Sequence, residues 1–338
     1  MRLSIFSVQD HYPSQARTVP QLYEEILTQA ELADSLGYDT FWVAEHHFHE
    51  YGTVPNPAVM LAAIAQRTKR LRLGTAISVL TFHNPLAVAE SYAMIDILSG
   101  GRLMYGVGSG YLTHEFEGFV VNPTEKRDRF DETLAAVKQL LSGERTSYAG
   151  KYVNFTDVKL NVEPIQKPVP VFVAVLRKEV AYYIGKQGNN LLCVPYASVD
   201  KFEDIADIVS EFRRGRAESG VPADESSLVV ALHTHVAQSD EAAREAAEAP
   251  FNLYVDTRLY AKKSTYADAM KNGLHLFGSA ETVANKIVAL KEMGVGHVMT
   301  LQNFGLLSQQ HVHASMKMLV NDVMPLVNSQ SVKKRAVA

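Results

Sequence analysis

The chain has 338 residues, of which 47% are hydrophobic and 21% charged, with a formal net charge of −4. That length suits one large α/β domain or two ordinary ones, and the acidic balance argues against nucleic acid or an anionic membrane, both of which favour a basic face. A single cysteine, Cys193, excludes an internal disulfide and fits a reducing compartment, so a cytoplasmic location is expected.

The N-terminal "MRLSIFSVQDHYPS" has too short an apolar run for a signal peptide, and "RLSIFSV" (2–8) reads as a first strand. No stretch approaches the roughly 20 apolar residues of a membrane span. A helix follows over 19–37, closed by Gly37, then a strand "YDTFWVAE" (38–45) and a helix from Asn56 with Pro57 in its first turn. "RLRLGTAISVL" (70–80) is the third strand, 84–101 the next helix, "RLMYGVGSG" (102–110) the fourth strand and 126–143 the fourth helix. The alternating residues of 144–170 suggest an inserted β-hairpin. The rhythm then resumes with strand "VFVAV" (171–175), helix 177–187, strand "NLLCV" (190–194), helix 200–219 and strand 227–237. A helix over 239–249, an irregular stretch over 250–277, helix 279–293, strand "HVMTLQ" (297–302) and helix 309–327 complete the chain, leaving a frayed tail over 329–338.

Repeated βα units imply parallel strands. Eight of them at this length favour one closed (β/α)₈ barrel over residues 1–328, with insertions after strands four and seven, rather than a pair of open sheets. In such a barrel the chemistry sits at the C-terminal ends of the strands, where "EHHFH" (45–49), "GSGY" (108–111) and "CVPY" (193–196) fall.

"GVGSGY" (106–111) is not a dinucleotide fingerprint, because Tyr111 stands where the third glycine belongs. Its glycines either let the backbone come close to something flat or phosphorylated, or simply form a βα turn. A zinc site could draw on His46, His47 and His49 with His233 and His235. Adjacent strand residues point to opposite faces, however, and no acidic cluster recurs at later strand ends, so no metal is expected.

The blocks "GYDTFWVAEHHFHEYG", "LRLGTAISVL", "HNPLAVAE", "MIDILSGGRLMYGVGSGY" and "FDETLAAVKQLL", with the final "ASMKMLVNDVMPLV", resemble the bacterial luciferase-like monooxygenase family in order and spacing. The resemblance implies a (β/α)₈ barrel that binds FMN, or in one branch a deazaflavin, at the C-terminal mouth. It places the catalytic role on His46 and a supporting role near the flavin on Glu45, with His47 a lesser neighbour. It implies a non-proline cis peptide at Ala76–Ile77. At the end of strand four the family's cysteine and phosphate-binding arginine are replaced by Gly108 and Ser109, while a second phosphate arginine is matched by Arg127. The end of strand five, Val175–Leu176–Arg177, departs from the family pattern, and Arg177 is expected to take over the phosphate duty lost at Ser109. Cys193 and Val194 should border the isoalloxazine ring.

The implied reaction uses reduced FMN and O₂ to oxygenate a small organic substrate through a C4a-peroxyflavin, with water excluded and one histidine moving a proton. The reduced flavin would come from a separate flavin reductase, since no nicotinamide fingerprint is present. The competing readings are a deazaflavin-dependent hydride-transfer oxidoreductase, a non-catalytic flavin-binding protein and, last, a metal hydrolase. The resemblance also implies a homodimer paired through the helices after strands two and three. The substrate is not legible; the loops 10–18, 111–124 and 250–277 should determine it.

Overall fold

The computed structural model describes residues 1–222, 224–258 and 263–329. The expected tail 329–338 lies outside them apart from Ser329, as do residues 259–262 of the expected irregular stretch.

The first half contains β1 (Arg2–Ser7), α1 (Val19–Leu36), β2 (Thr40–Val43), α2 (Pro57–Arg67), β3 (Arg72–Thr75), β4 (Ser78–Val79), α3 (Pro85–Ser99), β5 (Leu103–Gly108), a short α4 (Thr113–Gly118) and α5 (Lys126–Leu140). The hairpin β6 (Thr146–Ala149) and β7 (Asn154–Val158) follows. The second half has β8 (Val171–Val175), α6 (Lys178–Lys186), β9 (Asn190–Cys193), a single turn α7 (Pro195–Ser198), α8 (Ile205–Ser219), β10 (Leu228–Val236), α9 (Asp240–Thr257), α10 (Tyr266–Asn272), β11 (Leu276–Gly278), α11 (Ala280–Glu292), β12 (His297–Asn303) and α12 (Gln309–Met318).

Side-chain caps explain where several helices start. Thr18, Asn56, Asn84, Ser239, Ser279 and Ser308 each accept from backbone N–H groups of the following turn, which satisfies donors that the helix itself leaves orphaned. Proline in the first turn of α1, α2 and α3 costs nothing there, because its missing N–H would have had no helical partner.

Eight strands pair in the order β1-β2-β3-β5-β8-β9-β10-β12, all parallel, and β12 returns to β1 to close the barrel. Trp42 of β2 meets Phe172 of β8 edge to face at 5.4 Å. Those strands are not neighbours, so the two rings touch across the barrel interior and help fill it. All eight C-terminal strand ends open at one mouth, as expected.

Three expectations need correction. The strand expected over 70–80 breaks at Ala76–Ile77 into β3 and β4. The expected loop 111–124 contains a short helix, α4. The helix expected to stop at 249 runs on to Thr257 with Pro250 inside it. Proline removes one helical hydrogen bond, but beyond it Phe251, Tyr254 and Val255 are buried and hold the helix by packing. Gly305, at φ +56°, brings its backbone directly against this turn: a Cβ there would stand 1.6 Å from Pro250 O.

Candidate active site at the barrel mouth

The loop after β2 carries the densest polar cluster of the mouth. Glu45 is 2% exposed, and its Oε1 accepts from His47 Nε2 (3.0 Å) and His83 Nε2 (2.7 Å), while Oε2 accepts from the Val79 N–H (3.2 Å). Burial alone would raise the carboxyl pKa. The bonds from His47 and His83 outweigh it and hold Glu45 below its ordinary value, an ionised carboxylate inside the protein. For His83, burial works against the charged ring, but Glu45 wins and raises it.

His46 faces the other way. Its Nδ1–H donates to Glu115 Oε1 at 3.1 Å, and the same oxygen accepts the His47 backbone N–H at 3.0 Å. Glu115 is 1% exposed and comes from α4, so this pair exists only because the loop after β5 folds back over the loop after β2. The His46 ring stacks at a tilt on Tyr51 (4.7 Å) and meets Tyr111 edge-on (6.4 Å), and its Nε2 has no hydrogen-bond partner among the described residues. Sequence reasoning missed Glu115. The only signal was an acid in a loop already suspected of shaping the site.

The Ala76–Ile77 peptide is cis, as expected, and both side chains are half-buried. Gly108 is buried and leaves the room that Ile77 takes: a Cβ would stand 2.2 Å from Ile77 Cδ1. Ser109 is half-buried, and its carbonyl accepts from Thr81 Oγ1 at 3.0 Å. Arg127 is exposed and forms an ion pair with Asp131 at 2.8 Å on its own helix. Val175 is buried and Leu176 half-buried. Arg177 is exposed, makes no side-chain hydrogen bond or ion pair among the described residues, and stands at the uncapped start of α6. A guanidinium beside orphaned helical N–H groups suits a phosphate. Cys193 has no exposed surface, and burial pushes its thiol up to about 12, so a ligand would meet half-buried Val194 instead.

Further round the mouth, Tyr51 and Tyr254 hydroxyls lie 3.0 Å apart, and the Tyr254 ring is 5.1 Å from that of His233. Phe82 stacks on Phe119 at 4.7 Å, and Phe48 joins them at 5.2 Å from Phe119, making an aromatic lip beside His47. His233 and His235, the other two histidines of the zinc reading, are 1% and 2% exposed. Among the described residues no group of three or more His, Cys, Asp or Glu could hold a metal ion, and no helix is long and apolar enough to cross a membrane.

The family model described as luciferase-like monooxygenase matches residues 1–297. The chain belongs to that family. The oxygenase component of flavin-dependent trigonelline monooxygenase from Acinetobacter baylyi is 27% identical over 360 residues, covering 99% of this chain and 98% of that protein. The uncharacterized protein y4wF of Sinorhizobium fredii is 34% identical over 220 residues, 65% of this chain and 62% of that protein. An F420-dependent glucose-6-phosphate dehydrogenase of Amycolatopsis mediterranei is 30% identical over 187 residues, 53% of this chain and 56% of that one. The last two alignments thus span less than two thirds of those relatives. Among solved structures, monooxygenase RslO1 from Streptomyces bottropensis has a TM-score of 0.90 at 27% identity, over 96% of this chain and 99% of that one. Flavin-dependent monooxygenases and F420-dependent dehydrogenases therefore both stand among this luciferase-like chain's relatives.

Proposed function

We propose that the protein is the oxygenase component of a two-protein system, using reduced FMN and O₂ to oxygenate a small organic compound. The observation that carries this reading is His46 held by buried Glu115, with its second nitrogen free at an aromatic mouth. Similarity along the whole chain to an oxygenase component supports it. When bound, the reduced flavin would supply the electrons that activate O₂. Arg177 and the first turn of α6 would hold its phosphate, with Arg127 available from α5. Ile77, Leu176 and Val194 would line the ring. Nε2 of His46 accepts and returns a proton, and the Glu115 carboxylate at Nδ1 stabilises the charged ring while it holds one. Phe48, Phe82 and Phe119 exclude water from the His47 side. Glu45 and His83 act at a distance by fixing His47 and the β2 loop.

The remaining parts of the reading are a single barrel domain working in the cytoplasm, a homodimer, and a separate reductase as the source of reduced flavin. Dimer pairing through α2 and α3 is supported by Val59, Met94, Ile97 and Leu98, all exposed on those two adjacent helices. A second reading, a deazaflavin-dependent dehydrogenase, is favoured by the F420-dependent relative. Anaerobic ultrafiltration with reduced FMN or reduced F420, followed by admission of oxygen, separates the two. The oxygenase reading expects retention of FMN and slower peroxide release than from free reduced FMN. Retention of F420 instead, with no effect of oxygen, would replace it by the hydride-transfer reading.

A further inference from the structure

A cavity of about 420 Å³ opens beside the ends of β9 and β10, with the C-terminal half of α9 and α10 on its other side. His233 lies against it, with Tyr196, Phe251 and Leu274 among its walls. The side chain of His233 is 1% exposed, and among the described residues neither ring nitrogen has a hydrogen-bond partner. Buried polar groups are nearly always satisfied, so two open ring nitrogens call for an account. Four aromatic rings surround this one: Tyr196 at 4.7 Å, Phe251 at 5.0 Å, Tyr254 at 5.1 Å and Phe304 at 5.6 Å. Burial holds the imidazole far below its ordinary pKa, so it is neutral and offers one donor and one acceptor.

The charges around the cavity are unequal. Among the described lining residues Arg258, Lys263 and Lys271 stand with two acids, Asp200 and Asp268, and Asp268 accepts from the Thr265 N–H (2.9 Å) and hydroxyl (2.8 Å). Lys263 leans loosely on Asp256 at 3.5 Å. The Arg258 guanidinium lies over the Tyr196 ring at 4.7 Å and near that of Tyr254 at 5.5 Å, a cation set beside a stack of flat walls.

We propose that this cavity takes the substrate, and that the substrate is a small planar ring compound carrying an acidic group, with a polar ring substituent toward His233 and the acid toward Arg258. The volume is at the small end of ligand pockets, about 300–1,000 Å³, which fits one or two rings. Tyr254 connects the cavity to the site already described, since it bonds Tyr51, whose ring stacks on His46. The assignment as substrate rests on the oxygenase reading; the binding chemistry does not.

The probe is 4-hydroxybenzoate, measured by saturation-transfer NMR and calorimetry on the protein alone and with saturating FMN. Two comparison ligands are 4-hydroxybenzamide, which lacks the charge, and trans-4-hydroxycyclohexanecarboxylate, which lacks the flat ring. Both should bind at least about tenfold more weakly, the worth of a charged hydrogen bond in the first case. His233→Phe should abolish the preference for 4-hydroxybenzoate over benzoate, and Arg258→Gln the preference for acid over amide, with FMN affinity unchanged in both. Absence of 4-hydroxybenzoate binding at millimolar concentration, or binding indifferent to both variants, overturns the proposal. A His233→Phe protein that unfolds at higher temperature and binds the probe as before would make His233 a buried packing residue. Arg258 is half-buried at the rim, so its variant keeps the test open if His233→Phe fails to fold. Because these readouts need no turnover, a failed probe leaves the oxygenase reading standing, and a failed oxygenase assay leaves the binding result intact.

Discussion

Replacing His46 with Ala removes the ring that faces the aromatic mouth but leaves Glu45, His47 and His83 bonded to one another. The fold and flavin affinity should survive, product formation should fall about 10²–10⁴-fold, and oxygen should still be consumed as hydrogen peroxide, which a peroxide assay reads directly. Glu115→Gln keeps an acceptor for the His47 N–H but removes the charge behind His46; kcat should fall while flavin affinity holds, and Glu115→Asp should recover part of the loss. Product formation unaffected by either change at Glu115 would make it a loop anchor only. The cis peptide at Ala76–Ile77 and the place of His46 at the mouth were legible because each lies inside a contiguous block of sequence. Glu115 was not, since its link to His46 crosses 69 positions of chain and exists only once two loops have met. The Glu45–His83 pair also sets a pH window. Glu45 lies below its ordinary 4.5 and His83 above its ordinary 6.5, so their mutual stabilisation is complete between those values. It is lost as pH rises through the raised His83 value and as pH falls through the depressed Glu45 value. The stability gap between wild type and His83→Gln, from urea unfolding, should therefore be widest at pH 4.5–6.5 and narrow on either side.

Helices α2 and α3 lie against each other on the barrel's outside, and α3 is apolar nearly all round: its buried side carries Val88, Tyr92 and Ile95, its exposed side Met94, Ile97 and Leu98. A helix apolar on both sides has a second surface to cover. The homodimer reading predicts that Ile97→Glu yields a monomer by light scattering at micromolar concentration with its thermal unfolding little changed. A wild-type chain that is already monomeric under those conditions would remove α2 and α3 from any pairing role. Element existence was largely legible, because caps and strand alternation are local signals. Element length was less so. Pro250 reads as a stop, and α9 passes through it only because Phe251, Tyr254 and Val255 find the barrel wall and Gly305 makes space, none of which is visible locally.

Across the molecule, four histidines among the described residues, His233, His235, His275 and His297, are held neutral by burial. Burial pushes His233 far below its ordinary value, His235 and His297 to about 4 and His275 to about 3. An unfolded chain would protonate all four near pH 6.5, so below that pH it binds more protons than the folded one and stability falls with acid. Each contributes about 1.4 kcal/mol per pH unit until its folded value is reached. Urea midpoints should thus fall steeply between pH 6.5 and about 4, and His235→Gln should reduce that slope by close to one proton. A flat profile over this range would mean that the four sites are hydrated. The interior holds one more reporter. Trp42 is the chain's single tryptophan, fixed against Phe172 inside the barrel and three residues before Glu45. Its emission overlaps flavin absorption, so a flavin arriving at the mouth should quench the protein's fluorescence from a single emitter. Occupancy could then be followed optically in the unaltered protein, before any substrate is known.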